Sequence, residues 1–145
     1  MGERTFEDEF ADVQIGLVDL VLEACEGRGG IGDVYVFGAI EGTMTSFNAF
    51  VERGSELERL DAVVSDRSIL LQVMGLAAQD LAGLRELCER AGRACPTQIR
   101  GHWRNDGGSY EATCEYEPVA DREDGVAPGT AFAAWLEDER AARRG

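Results

Sequence analysis

The stretch that decides the fold runs from residue 96 to residue 118 and reads PTQIRGHWR, then NDGG, then SYEATCEYEP. Apolar and polar side chains alternate in both outer parts, which is typical of strands that have one covered face. The DG pair at 106–107 lies between them and favours a tight hairpin turn. The pattern therefore predicts a two-stranded hairpin in which Trp103 lies opposite Tyr110.

The alternation divides this hairpin into two faces. The apolar face is predicted to carry Ile99, Gly101, Trp103, Tyr110, Ala112, Cys114 and Tyr116. The polar face is predicted to carry Gln98, Arg100, His102, Arg104, Glu111, Thr113, Glu115 and Glu117, with His102 opposite Glu111. Burying a large apolar side chain contributes about 1.5–3 kcal/mol, so a slip of one residue would be costly. We expect the apolar face to hold the fold together with Phe132 and Trp135.

Two helices are predicted upstream of the hairpin. Apolar residues recur at intervals of three and four over residues 6–26, and Thr5 can cap this helix at its N-terminus. A longer stripe of the same period runs over residues 66–91. Gly92 is suited to the residue after a helix, and Pro96 prevents continuation.

Three strands and a final helix complete the pattern. The strands are predicted at 33–40, 44–52 and 57–63, with short turns that favour an antiparallel meander. Pro128 suits the first turn of a helix on which Phe132, Trp135 and Leu136 share one side. We predict a single α+β domain over residues 1–145. Its antiparallel sheet has about five strands, helices pack on that sheet, and the element order is α-βββ-α-ββ-α.

The charge of the chain is strongly acidic. It has 28 acidic residues against 14 arginines, a formal net charge of −14, and residues 1–26 and 115–139 are the most acidic segments. Such a field repels nucleic acid and attracts a basic protein. No apolar run approaches the ~18 residues of a membrane span, and the acidic N-terminus has no apolar signal region. We expect a cytoplasmic protein that binds neither nucleic acid nor membranes.

The cysteines and the single histidine do not have the spacing of a metal site. Cys25, Cys88, Cys95, Cys114 and His102 could supply zinc ligands in number, but no CxxC knuckle is present. Strand parity also places His102 and Cys114 on opposite faces of the hairpin. We predict no metal, and interpret Cys88 and Cys114 as small core residues.

Catalytic machinery is not apparent in the sequence either. No nucleophile is evident beside His102 on its predicted face, where Thr113 is diagonal and β-branched. We therefore interpret His102 as a cross-strand polar partner of Glu111. The glycine-rich stretch at 27–32 follows a helix and precedes a strand, whereas a phosphate-binding loop needs the reverse order. We therefore predict a binding protein without a cofactor, and not an enzyme.

Carboxylates continue from the polar face of the hairpin into the loop that follows it. They are Glu111, Glu115, Glu117, Asp121, Glu123 and Asp124. Their spacing does not form an EF-hand loop. Such a run suits either a solvated edge or a contact surface for basic residues of a partner. We predict these six residues as the partner-binding surface, with the acidic stripe of the first helix as second choice.

Three motifs give the chain a family resemblance. They are CPTQI at 95–99, YEP at 116–118 and FAAW at 132–135, and the N-terminal amphipathic helix and YVFG at 35–38 agree with them. In these features the chain resembles the YezG-like immunity proteins, antitoxins that neutralise bacterial polymorphic toxins. Order and length agree over nearly the whole chain, and motif-level similarity covers about residues 92–136. The absence of Lys and the glycine-rich first loop depart from the family pattern.

The resemblance implies a small cytoplasmic protein that binds a toxin domain, often a nuclease, and blocks its active site or substrate groove. A basic nuclease surface and an acidic inhibitor are complementary in charge. The alternative is a secretion chaperone or adaptor, a class that also contains small acidic α+β proteins. An immunity protein binds a folded toxin domain, whereas a chaperone binds an unfolded export segment.

Overall fold

A computed structural model describes residues 5–27, 29–117 and 128–144 of the chain. Five strands form one antiparallel sheet in the order β3-β2-β1-β4-β5, and the predicted fold class and element order are confirmed. The elements are α1 (Phe6–Ala24), β1 (Ile31–Glu41), β2 (Met44–Arg53), β3 (Glu56–Arg59), α2 (Leu60–Val63), α3 (Arg67–Ala91), β4 (Gln98–Trp103), β5 (Tyr110–Glu115) and α4 (Pro128–Arg144).

The two long helices begin and end where their capping residues stand. At the start of α1, Thr5 and Asp8 form a capping box, in which each side chain accepts a hydrogen bond from the other residue's backbone N–H. Asp66 accepts hydrogen bonds from two backbone N–H groups at the start of α3. Gly92 ends α3 with a φ of 67°, a left-handed conformation that favours glycine. The predicted caps are confirmed, and α3 continues through Gly75 without a break.

The third predicted strand is shorter than residues 57–63. Strand β3 ends at Arg59, opposite Phe50, and the chain then turns into the short helix α2. Leu60 and Val63 are both buried. A spacing of three places both side chains on one side of a helical turn, whereas in a strand they would point to opposite faces. Burial of this pair therefore favours the turn over an extended strand.

One face of the sheet carries the larger core, covered by α1 and α3. Strand β1 contributes Val34, Val36 and Ile40 to it, and all three are buried. Gly38 lies on the same face, where a Cβ would come 2.9 Å from Leu81 Cδ2 of α3. Glycine at this position therefore allows the helix to pack closely on the central strand.

The hairpin joins this core through the predicted register. Trp103 pairs with Tyr110, as predicted, and both side chains pack against the larger core. The ring of Tyr110 lies over Gly101, where a Cβ would overlap its hydroxyl group. That hydroxyl donates a hydrogen bond to Gln14 Oε1 of α1 at 2.7 Å. A tyrosine on the edge strand therefore connects the sheet to the first helix across a glycine.

The opposite face of the sheet carries a second, smaller core. Phe132, Trp135 and Leu136 of α4 are buried here, on one side of the helix as predicted. Beneath them lie aromatic side chains of the sheet, of which Phe37 and Phe50 are fully buried. The second core consists of Tyr35, Phe37, Ala39, Phe50, Leu57, Ala131, Phe132, Trp135 and Leu136.

The apolar face of the hairpin and the residues Phe132 and Trp135 stabilise the fold in two separate cores. That face belongs to the larger core, which α1 and α3 already cover. Strand β1 alternates between two apolar sets, and its aromatic set faces the other way, where α4 covers it. Tyr116 departs from the prediction: it follows the end of β5 and is 53% exposed.

Candidate functional site

A groove lies on the second face of the sheet, between α4 and the β4–β5 hairpin. Because α4 packs against β2 and β3, the hairpin lies beside this helix rather than beneath it. The groove has a volume of about 400 Å³. Side chains of β4 and β5 form its floor, and Tyr35, Trp135, Asp138 and Glu139 form its wall. The predicted polar face of the hairpin therefore lies in a concave surface.

The floor of the groove has charges of both signs. Arg100 and His102 lie two residues apart on β4, so their side chains point to the same face, and Arg104 follows immediately after the strand. Strand β5 adds Glu111 and Thr113. The electrostatic character of the groove therefore depends on which of these groups are already paired inside the protein.

His102 is held in place by a carboxylate and an aromatic ring. Its Nε2 lies 2.8 Å from Asp33 Oδ2. Its ring stacks on Tyr35 with a centroid distance of 4.1 Å, and Tyr35 stacks in turn on Phe50. The backbone N–H of Asn105 donates to the other oxygen of Asp33 at 3.0 Å. These contacts fix the histidine ring and the start of the hairpin turn against β1.

The pKa of Asp33 reflects these contacts. Burial raises the pKa of this carboxyl group, but the hydrogen bonds from His102 and from the Asn105 N–H, with the charges of His102 and Arg143, lower it by more. The net pKa lies below the ordinary value of 3.8. Asp33 is therefore ionised at neutral pH and is the anion that anchors His102.

The prediction that His102 pairs with Glu111 is wrong, although the register behind it is confirmed. The two residues are opposite each other, but Glu111 Oε1 lies 2.7 Å from Arg104 Nη2. On the other side of β4, Tyr35 is opposite His102, so Asp33 is its diagonal neighbour on the same face. The imidazole of His102 instead contacts Asp33 of β1, whose carboxylate is more buried than that of Glu111.

Three charged groups that line the groove are not neutralised within the described residues. Arg100 makes no ion pair there, and its buried Nε has no hydrogen-bond acceptor. On the facing wall, the side chains of Asp138 and Glu139 form no ion pair or hydrogen bond in the same part of the chain. Within the described residues, the groove therefore has an unpaired cation on its floor and unpaired anions on its wall.

The structure locates half of the predicted partner-binding residues. Glu111 lines the groove and its side chain is 68% exposed. Glu115 is half-buried opposite Gln98, and Glu117 is exposed just beyond β5, where its carbonyl accepts a hydrogen bond from Thr97 Oγ1 at 2.8 Å. Asp121, Glu123 and Asp124 lie outside the described residues.

Several residues of the groove are absent from the sequence-based prediction. Asp138 and Glu139 follow Trp135 by three and four residues, so they lie on the same side of α4. That spacing is the signal that could have placed them beside the buried tryptophan. No comparable signal links Asp33 or Tyr35 to the hairpin, because the pairing of β1 with β4 joins residues 59 to 69 positions apart.

The arrangement is suited to recognition of polar and charged groups. His102 is engaged by Asp33, and among the described residues no serine or cysteine lines the groove. Nor do the described His, Cys, Asp and Glu side chains form a cluster of three that could hold a metal ion. Charged and aromatic side chains in a shallow groove offer hydrogen bonds, ion pairs and cation–π contacts to a ligand.

The cysteines lie elsewhere in the fold. All four are free thiols, and Cys88 is fully buried, as expected of a core residue, while Cys114 is half-buried against the same core. Burial, with a smaller contribution from nearby Cys88, raises the pKa of the Cys95 thiol to about 12. Cys95 therefore stays protonated at neutral pH and is a poor nucleophile.

Within the described ranges, no helix has both the length and the apolarity needed to cross a membrane. Comparison of the sequence with protein-family models and with curated proteins finds no match.

Proposed function

We propose that this protein is a cytoplasmic immunity protein, which binds a bacterial toxin domain and blocks its active site or substrate groove. The observation that supports this proposal best is the charged groove between α4 and the β4–β5 hairpin, in a chain of net charge −14. Its charged groups are fixed on strands and a helix and are accessible to a macromolecule. Binding is stoichiometric and needs neither turnover nor a cofactor.

The acidic charge defines the kind of partner that suits this surface. A protein of net charge −14 speeds its encounter with a basic protein, and a nuclease domain is basic where it binds nucleic acid. Complementary charges at an interface raise the association rate and select the partner. We therefore infer a basic toxin domain, with a nuclease as the favoured class, and an affinity that falls as salt concentration rises.

The proposal is tested with the product of the adjacent gene. Co-expression followed by affinity purification measures whether the two proteins form a complex, and growth of the host measures whether toxicity is suppressed. We expect a one-to-one complex with a folded toxin domain and restored growth. A complex formed only with an unfolded segment of an export substrate would support the secretion chaperone instead. Turnover of a substrate by the purified protein alone would contradict the proposal.

A charge-reversal pair tests where the toxin binds. Lysine replaces Glu111, Glu115 and Glu117 in one variant and Asp19, Glu23 and Glu26 of the α1 region in the other, so both change the net charge equally. We expect the hairpin variant to lose toxin affinity by about tenfold or more, because several charge-assisted contacts are reversed. The α1 variant loses only the long-range attraction. Equal losses in both variants would contradict the hairpin surface.

A further inference from the structure

The groove beside α4 is lined by charges of opposite sign that have no partner in the part of the chain that the structure describes. Arg100 lies on its floor, and Asp138 and Glu139 lie on its wall. All three line one space of about 400 Å³, yet no ion pair joins the cation to either anion. The described residues therefore hold charges of opposite sign in one groove without pairing them with each other.

Arg100 combines the lack of an ion pair with a buried donor: within the described residues its guanidinium has no carboxylate partner and its Nε is buried without an acceptor. Acidic residues outnumber arginines by two to one, and other described arginines such as Arg93 and Arg104 have a carboxylate within ion-pair distance. A buried donor without an acceptor carries the cost of its lost hydration. The Nε of Arg100 carries that cost, because it is buried and has no acceptor among the described residues. The cost is removed if a bound carboxylate draws the guanidinium into a two-point contact.

We propose that this groove binds a loop of the partner that presents a basic side chain to Asp138 and Glu139 and a neighbouring carboxylate to Arg100. This inference rests on the proposed function for the identity of the partner. The proposal differs from a general acidic surface, because it requires the partner to supply an anion as well as a cation. Trp135 also lines the groove beside Asp138 and Glu139, where its accessible edge can contact the stem of a basic side chain.

Charge complementarity favours this occupant over a second copy of the chain. A second copy would bring another net charge of −14 to a rim that already carries Glu111, Asp138 and Glu139. Like charges at an interface are strongly unfavourable. A wholly basic segment would satisfy the α4 wall but leave Arg100 facing a cation. A segment with one basic and one acidic residue satisfies both sides of the groove.

The direct test uses the dipeptide acetyl-Arg-Asp-amide as probe. The side-chain Nε–H resonance of Arg100 and the indole N–H resonance of Trp135 are followed by NMR as the probe is added to the intact protein. We expect saturable shifts at both. Acetyl-Arg-Gln-amide and acetyl-Gln-Asp-amide, which each lack one charge, should bind at least about fivefold more weakly because one charge-assisted contact is lost.

Variants separate the two sides of the groove. Arg100→Gln should reduce the affinity for acetyl-Arg-Asp-amide to that of acetyl-Arg-Gln-amide, and the pair Asp138→Asn with Glu139→Gln should reduce it to that of acetyl-Gln-Asp-amide. Arg53→Gln is the matched control, since it removes one exposed arginine that does not line the groove. The α4 variant leaves β4 intact, so it tests the proposal even if Arg100→Gln fails to fold.

The outcomes distinguish this inference from the proposed function. Equal binding of all three probes, an unchanged affinity in Arg100→Gln, or no saturable shift up to the solubility limit would overturn the polarised groove. Toxin neutralisation without probe binding would leave the immunity function standing and overturn this docking mode. Specific probe binding without any complex with the adjacent gene product would support the groove chemistry and overturn the partner assigned to it.

Discussion

The second face of the sheet has two halves that differ in composition and in role. Under α4, the half formed by β1, β2 and β3 is aromatic: Tyr35, Phe37 and Phe50 are buried beneath Phe132 and Trp135. Beside α4, the half formed by β4 and β5 is charged and lines a groove. Both halves follow the same alternation along antiparallel strands, and they differ only in the residues placed on it.

The difference separates stability from recognition. Burial of aromatic area stabilises the fold, whereas a charge held without a partner lowers stability and remains available to a ligand. Tyr35 belongs to both halves, since it packs in the aromatic core and its ring also lines the groove. The helix that completes the core thereby positions one wall of the groove, with Asp138 and Glu139 one turn beyond Trp135.

Removing an aromatic side chain from the covered half should have the largest effect. Phe132 is 1% exposed and contacts the rings of Phe37 and Phe50. We expect Phe132→Ala to lower the free energy of unfolding by about 3–5 kcal/mol, because burial is lost and a cavity is left. Urea denaturation measures this. Leu71→Ala, at a 63% exposed position, should change stability by less than about 0.5 kcal/mol. Similar losses in both variants would show that α4 contributes little.

Removing one hydroxyl from the hairpin's other face should cost less. Tyr110→Phe keeps the ring over Gly101 but leaves Gln14 Oε1 without its donor, and Gln14 is 3% exposed. We expect a loss of about 1–3 kcal/mol in the free energy of unfolding. Tyr116→Phe changes an exposed ring and serves as control. If the two variants are equally stable, the Tyr110–Gln14 hydrogen bond does not hold the hairpin to α1.

Asp33 should make stability depend on pH at the boundary of the groove. Its pKa is lower in the folded protein than the ordinary 3.8, so the unfolded chain binds more protons in this range. The contribution of Asp33 is therefore fully present above about pH 4 and is lost as pH falls through the folded pKa. We expect thermal unfolding between pH 2 and pH 6 to show a difference between wild type and Asp33→Asn that shrinks on acidification. Asp19→Asn, which removes an exposed carboxylate of α1, is the control. A stability difference between wild type and Asp33→Asn that stays the same from pH 2 to pH 6 would contradict this prediction.

Replacing the unpaired cation of the groove should have the smallest effect on stability. Arg100→Met keeps much of the side-chain length and removes a buried donor that has no acceptor. We expect the free energy of unfolding to stay the same or to rise by up to about 1 kcal/mol. Arg104→Met, which breaks the ion pair with Glu111, is the control. A clear decrease in the free energy of unfolding of Arg100→Met would mean that this guanidinium stabilises the fold. That result would contradict its proposed role in ligand binding.

The sequence predicted the elements and the hairpin well because these depend on local patterns. Capping by Thr5, termination at Gly92 and the pairing of Trp103 with Tyr110 are all confirmed, and each follows from residues close together in the chain. The exception is the segment from Leu60 to Val63, where the local sequence fits either a strand or a helical turn. The structure has the helical turn, because it buries both Leu60 and Val63.

The groove was less predictable because it depends on non-local packing. The hairpin's polar face was recognised, but its partners come from β1 and α4. Nothing in the local pattern of Phe132 and Trp135 indicates which face of the sheet they cover, since both faces of β1 are apolar. Asp33 reaches His102 only because β1 and β4 are neighbours. The predicted residues Asp121, Glu123 and Asp124 stay untested by the described residues.

The central position of β1 has a consequence for hydrogen exchange. Over Val34 to Ala39 this strand is paired with β2 on one side and β4 on the other, and its side chains enter both cores. Its amide hydrogens should therefore exchange only when the whole protein opens, whereas amides of β5 can exchange through local opening of the hairpin. The slowest deuterium uptake would then report total stability. Uptake at β5 should slow when a ligand occupies the groove, because binding stabilises the closed hairpin, so one labelling experiment follows both quantities.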